Sequence, residues 1–348
     1  MTPKKNHKLS LDKFINYALY DKKKGYYMKR NPFGNNGDFT TAPNISRLFS
    51  EMIAIWTMSY WQNLGSPKKF NLIELGAGNG EMMKVIIESL KKFPFFFSSC
   101  NFYIHEISSE LIKVQKNKIK GENVKWIKNF DKLKNSTCLF IANEFFDAIP
   151  IKQFVKNDNK WFEKYVLFKK DNKASFVYKK IRIKSIEKKL NFNFSKRQTF
   201  FEYSPIGIQY LKKIIKIIQK KNGGLLVIDY GYDNKKTKDT LQGIYNKNYS
   251  NVLENIGFSD ITYNINFNLF RKIAKRFKQI NTNFTTQKKF LTKIGINHRA
   301  EILSKNKTFK EKANIYYRLK RLIDEKEMGS LFKVMLIKKY NKNFRLGF

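Results

Sequence analysis

Three glycines at alternate positions, Gly76, Gly78 and Gly80, follow the apolar run Phe70 to Leu75 and precede the helical pattern Met82 to Leu90. A glycine turn in that setting lets the backbone bend sharply and approach a ligand closely. The helix that begins there offers unpaired N–H groups and the positive end of its dipole. Glu74 ends the strand just before the turn. A carboxylate there repels a pyrophosphate but suits the hydrogen-bond network around an ammonium group. The G-x-G-x-G spacing also departs from the G-x-G-x-x-G of dinucleotide sites. The ligand that fits is the methionine end of S-adenosyl-L-methionine, held by Glu74, Gly76, Gly78 and Gly80. Taken alone, the turn could also serve only to pack a helix on a strand.

Two further groups strengthen the pattern. Glu106 closes the next apolar run, Asn101 to Glu106. A carboxylate at that strand end can accept both hydroxyls of a ribose, although a solvated strand-end Glu reads equally well in isolation. Asn143, Glu144 and Asp147 come directly at and after the apolar run Thr137 to Asn143. Ligands of open α/β sheets bind beyond the carboxyl ends of strands, and polar groups there need partners. These three are the candidate catalytic residues. Glu144 and Asp147 can hold a cationic acceptor, and paired carboxylate–guanidinium bonds suit an arginine. The structural alternative is a helix cap at Asn143. Asp38, in a loop over residues 34–43, and Asp229, read as following the fifth strand, are expected to close the pocket.

The elements that position these groups alternate between strand and helix, which argues for a parallel, doubly wound sheet. Strands are expected over Phe70 to Leu75, Asn101 to Glu106, Val124 to Ile127, Thr137 to Asn143 and Gly224 to Asp229, with two more at Ile261 to Phe267 and Leu331 to Lys338. The fold class is thus a Rossmann-like, seven-stranded α/β sheet. A helical region over residues 1–66 should precede it, with Leu11, Phe14, Ile15 and Ala18 on one helical face. The sheet-bearing domain would then occupy residues 67–348, with an antiparallel insertion near 154–200 and a helical one near 268–327.

Composition narrows the class further. Lys and Arg number 69 against 28 Asp and Glu, a formal net charge of +41. That balance raises nucleic acid as a partner. The excess is nearly all Lys, spread along the chain and accompanied by much Asn, Ile, Phe and Tyr, residues with AT-rich codons. Compositional drift is the plainer reading, and nucleic acid is a disfavoured partner. Cys100 and Cys138 form no C-x-x-C pair, and His7, His105 and His298 lack metal-ligand spacing, so neither a disulfide scaffold nor a metal site is expected. No apolar run approaches the ~20 residues of a membrane span. The chain reads as cytoplasmic, or as resident in the mitochondrial matrix if its source is eukaryotic.

Beyond these sites, the chain resembles the MidA-like methyltransferases. The resemblance rests on Gly37-Asp38-Phe39-Thr40-Thr41-Ala42-Pro43, on Asn143 to Pro150 with Gln153-Phe154, on Glu202-Tyr203-Ser204-Pro205, on Asp229-Tyr230-Gly231-Tyr232 and on Asp239-Thr240-Leu241-Gln242. Thr286-Gln287 and Met328-Gly329 extend it toward the C-terminus. It implies a class I methyltransferase fold, S-adenosyl-L-methionine as cofactor, and a protein arginine acceptor, with a subunit of respiratory complex I or its assembly as the setting. Four departures stand out: Asn44 where the family usually has Glu, Asn79 where Arg is common, and Asn264 and Asn266 where His and Asp are usual.

Rival readings remain distinguishable. A methyltransferase acting on RNA would show steeply salt-dependent binding; one acting on a small molecule would leave proteins unlabelled. A non-catalytic assembly factor that keeps the fold would fail to bind the cofactor. A nicotinamide oxidoreductase is disfavoured by the glycine spacing.

Overall fold

Apolar runs separated by helical patterns become strands of one mixed sheet in the computed structural model, which describes residues 7–29, 32, 41–131, 133, 136–169, 173–233, 237–340 and 344–348. The chain divides into two units, each assembled from three segments.

The sheet unit comprises Asn31–Phe145, Lys212–Gly231 and Arg271–Phe348. Seven strands carry it: β1 (Phe70–Leu75), β2 (Cys100–His105), β3 (Val124–Ile127), β4 (Thr137–Asn143), β5 (Gly223–Tyr232), β6 (Ile280–Thr286) and β7 (Phe332–Lys339). Their order is β3-β2-β1-β4-β5-β7-β6. β1 to β5 run parallel, while β7 runs antiparallel to both β5 and β6. The order reverses between β1 and β4, so a crevice opens beyond their carboxyl ends. The central strands are buried on both faces, as their unbroken apolar runs require. The helix Arg47–Asn63 packs against the helix Glu81–Leu90. Trp56 stacks on Tyr60, with ring centroids 5.3 Å apart, and the Tyr60 hydroxyl donates to the Gly223 carbonyl at 2.8 Å. Trp56 Nε1 donates to the Leu346 carbonyl at 3.1 Å, so both polar atoms of this otherwise apolar contact are satisfied.

The insertion unit comprises Met1–Arg30, Phe146–Leu211 and Tyr232–Phe270. The strands Lys8–Ser10, Lys160–Phe168, Lys152–Asn157 and Phe200–Tyr203 form an antiparallel sheet, and Ala174–Ile181 pairs with Lys160–Phe168. The antiparallel insertion expected near 154–200 is therefore present, and Lys8–Ser10 joins it from the N-terminus. A second sheet joins Gln242–Tyr245, Asn248–Ser250 and Asp260–Thr262. The helix Leu11–Tyr20 buries Leu11, Phe14, Ile15 and Ala18, the face read from the sequence. The expected cap over residues 1–66 is shared out: its first helix lies in the insertion unit, its long helix in the sheet unit.

Two strand assignments need correction. Residues 261–267 do not form one continuous strand: Asp260–Thr262 and the two-residue strand Ile265–Asn266 share the stretch. A strand ends at Thr262, and Phe267 starts a helix because Asn266 Oδ1 accepts the Leu269 N–H at 3.0 Å. β6 arises instead inside residues 268–327, a stretch read as helical. Its sequence, Ile-Asn-Thr-Asn-Phe-Thr-Thr, sits at the end of the sheet order with mostly half-buried side chains. A strand with one neighbour needs no continuous apolar run, so the usual signal is missing.

Candidate active site

β1 delivers Glu74 to the crevice, and the chain then turns through Gly76, Gly78 and Gly80 with φ of +65°, +53° and +82°. That left-handed backbone is strained for any residue with a side chain. At Gly76 a Cβ would also lie 2.8 Å from the Phe145 ring. The Gly76 N–H donates to the His105 carbonyl at 2.9 Å, which ties the turn to β2. The helix Glu81–Leu90 starts directly after the turn.

A cleft with about 360 Å³ of empty space, part of it open to solvent, lies beside this turn. Glu74, Gly76, Gly78, Asn79, Asn143 and Glu144 contribute to its lining, with Thr41, Pro43 and Asn44 from another segment. Glu74 is 3% exposed. Burial first, and the neighbouring Glu106 second, push its carboxyl up to about 8, against some relief from the Met83 N–H. Its Oε2 is buried with no hydrogen-bond partner among the described residues. A buried carboxylate oxygen without a donor is costly, and a cationic N–H group is what would offset that cost. The side-chain-free turn and this oxygen together fit the amino-acid end of S-adenosyl-L-methionine.

Glu106 is buried beyond the end of β2 and does not line the cleft. Its Oε1 accepts the N–H groups of Ile107 and Ser108 at 2.8 and 2.9 Å, and its Oε2 accepts Gln115 Nε2 at 3.1 Å. Burial still raises its carboxyl above the ordinary range, although these three donors oppose the rise. Gln115 escaped the sequence reading. Its Nε2 also donates to the Gly78 carbonyl at 2.9 Å, and its Oε1 accepts Trp126 Nε1 at 2.9 Å. One amide thus joins the glycine turn, Glu106 and Trp126. The signal was available: Gln115 is the polar residue four positions after Leu111, on the same buried face of the helix Ser109–Lys118.

At the end of β4, Asn143 and Glu144 reach the cleft together. Glu144 adopts φ +49°, an uncommon conformation for a residue with a long side chain. Its own N–H is fixed to the Ile228 carbonyl at 2.9 Å. Its Oε1 accepts the Ala42 N–H at 3.3 Å and Asn143 Nδ2 at 3.2 Å. Asn143 Oδ1 is buried and has no hydrogen-bond partner among the described residues. Asp147 falls in the insertion unit, where it is buried and acts electrostatically on Tyr27. Asp229 is fully buried within β5 rather than after it, because the strand runs on to Tyr232, and it does not line the cleft. Asp38 lies outside the described residues. Asn44 and Asn79, two of the four departures from the resembled pattern, meet here: Asn79 Nδ2 donates to Asn44 Oδ1 at 2.9 Å. A neutral pair thus stands where the usual residues would carry opposite charges. Among the described residues no group of His, Cys, Asp or Glu is arranged to hold a metal ion, and no helix is long and apolar enough to cross a membrane.

Comparison with known proteins shows the family and the fold. The family model for putative S-adenosyl-L-methionine-dependent methyltransferases matches residues 52–285. The mitochondrial protein arginine methyltransferase NDUFAF7 of Danio rerio is 26% identical, over 93% of this chain and 82% of its own length. The Caenorhabditis elegans homolog of that enzyme is 30% identical, over 79% of this chain and 70% of its own length. A likely methyltransferase of Burkholderia thailandensis, crystallised with S-adenosyl-homocysteine, superposes with a TM-score of 0.84 at 20% identity, covering 98% of this chain and 90% of the other.

Proposed function

The chain belongs to the family of putative S-adenosyl-L-methionine-dependent methyltransferases, and on that premise we propose that it methylates an arginine of a protein substrate. The observation that carries the reading is Glu74 Oε2, buried and without a hydrogen-bond partner among the described residues, in a cleft lined by the left-handed Gly76 and Gly78. The names of the NDUFAF7 relatives support the choice of acceptor. A subunit of respiratory complex I is the candidate substrate, and a reducing compartment, cytoplasm or mitochondrial matrix, is the candidate setting. The free thiols of Cys100 and Cys138 support that setting.

In this mechanism Glu74 Oε2 takes the ammonium group of S-adenosyl-L-methionine, and the glycine turn admits its amino-acid backbone. Glu106, held by Gln115 at Oε2 and by two backbone N–H groups at Oε1, would keep one lone-pair site for a ribose hydroxyl. The cofactor, when bound, supplies a methyl group on a sulfonium, already activated by a good leaving group. The remaining work of the chain is positioning and electrostatics. A guanidinium spreads its charge over three nitrogens and is a poor nucleophile. Glu144, whose Oε1 is oriented by the Ala42 N–H and the Asn143 amide, accepts one guanidinium N–H through its carboxylate and concentrates the charge there. The proton can then pass to Glu144 as the opposite nitrogen is alkylated. Asn143 Oδ1 offers a second acceptor for the same planar group.

The test is transfer of labelled methyl groups into lysate, followed by mass spectrometry of the labelled band. Label is expected on arginine, and Gly78→Val is expected to abolish it. Label on RNA, or label unchanged in Gly78→Val, would overturn the reading.

A further inference from the structure

The helix Phe309–Ile323 turns aromatic side chains to solvent. Of its 15 residues only Leu319 and Leu322 are buried. Phe309 is 89% exposed and Tyr317 64%. Phe309, Ala313, Tyr316 and Tyr317 stand at i, i+4, i+7 and i+8, so they share one side of the helix. That spacing normally marks the stripe a helix lays on its own core. Here Leu319 and Leu322 make the core contact from another side, and all four stripe residues are exposed.

The stripe is held in place by local bonds. Thr308 Oγ1 accepts the Glu311 N–H at 3.3 Å, and Glu311 Oε2 accepts the Thr308 N–H at 2.9 Å. This capping box fixes the first turn without help from burial. The Tyr316 hydroxyl lies 3.3 Å from Ser304 Oγ. A surface ordered in advance loses little further freedom when a partner covers it.

Cations border the stripe. By the same helical spacing Lys312 lies on one side of it, Lys310 and Arg321 on the other, and Lys320 continues it. Among the described residues no carboxylate pairs with these four; the ion pairs nearby are made by Lys288, Arg299 and Lys307. Glu311, the one acid on the helix, is taken up by its cap and by Lys307. The helix also lies against the short helix Ala42–Ile45, whose Pro43 and Asn44 line the cleft. Both helices belong to the sheet unit.

These features select the occupant. A second copy of a chain with net charge +41 would set the same lysines against each other. An aromatic ridge with Ala313 at its middle is shaped as a helix that fills an apolar groove. The charge of the chain also repels an approaching arginine, so its carrier needs acids elsewhere to be drawn in. We propose that this face docks the substrate protein, through an apolar groove rimmed by Asp and Glu. The proposal rests on the reading that the acceptor is an arginine-bearing protein.

Steady-state transfer into the purified protein of the labelled band tests it. Phe309→Ser with Tyr317→Ser should raise KM for that protein by about tenfold or more, with kcat and S-adenosyl-homocysteine binding as in the wild type. Lys310→Glu with Lys312→Glu should raise KM likewise at low salt, and the rise should fade as salt is added. Lys179→Glu with Lys180→Glu makes the same charge change on the strand Ala174–Ile181 of the insertion unit, and should leave KM within about twofold. All six side chains are exposed, so thermal denaturation should not move. An unchanged KM in the first two variants, or an equal rise in all three, would overturn the docking face. The two readings fail separately. Label on another residue type, with the KM effects intact, removes the arginine acceptor alone. Label on arginine with an unchanged KM removes the docking face alone. Label on RNA only, or on no macromolecule, removes both.

Discussion

Glu74 and Glu202 are both buried carboxyls lifted above their ordinary range, one to about 8 and the other to about 7. Their surroundings differ in kind. Glu74 ends a parallel strand, faces a second carboxyl at Glu106 and keeps one oxygen without a donor. Glu202 lies in an antiparallel strand, and both of its oxygens have donors. Hydrogen bonds alone make burial of a carboxylate tolerable; without them a cationic ligand must do more of the work. Glu74 is thus the more ligand-dependent of the two carboxyls, and Glu202 the more self-supporting.

The sharpest way to break that contrast is Glu74→Gln. In the ligand-free protein the folded state holds a proton on Glu74 that the unfolded chain releases near pH 4.5. The contribution of Glu74 to stability is therefore fully present below pH 4.5 and is lost as pH rises toward 8. The climb from 4.5 to about 8 corresponds to roughly 4–5 kcal/mol. Thermal denaturation from pH 5 to 9 should show this loss in the wild type and its absence in Glu74→Gln. The same variant should weaken S-adenosyl-homocysteine binding by about 100-fold at pH 8, from loss of a charge-assisted bond. Parallel stability curves for the two proteins would refute the assignment. The effect at Glu202 should be smaller, because its donors already oppose the rise.

Gln115→Leu gives the next largest effect. It removes the amide shared by Gly78, Glu106 and Trp126. Several buried hydrogen bonds at about 1 kcal/mol each predict roughly 10–100-fold weaker cofactor binding. Calorimetry with S-adenosyl-homocysteine checks this. The smallest effect belongs to Asn44 and Asn79. Each Ala substitution should cost a few-fold in cofactor affinity, and the double variant should cost no more than one, since a single bond joins the two side chains. Additive losses would show that the pair does not act as a unit.

Much of the sheet unit was legible because its signals are strong and local. Unbroken apolar runs mark β1 and β4, and the alternate glycines mark the turn. β6 was not legible, since an edge strand of Asn and Thr carries no apolar signature. Of the residues singled out from the sequence, Glu74, Gly76, Gly78, Asn143 and Glu144 line the cleft, because all lie at or just beyond a strand end. Asp147 and Asp229 sit equally close in sequence to strand ends, yet spacing along the chain does not reveal which unit a side chain joins or how far a strand runs. Gln115 and the Asn44–Asn79 bond depend on contacts between distant segments. Single-sequence periodicity records burial but not the identity of the partner.

The chain of contacts through Gln115 also makes the protein its own optical gauge. Trp126 is half-buried, whereas Trp56, Trp61 and Trp161 are sealed in the interior. Its indole N–H ends on the amide that steadies Glu106. If Glu106 takes the ribose as proposed, occupancy there should reach an emitting ring whose colour depends on that bond, and loading could be followed by intrinsic fluorescence, with no dye attached.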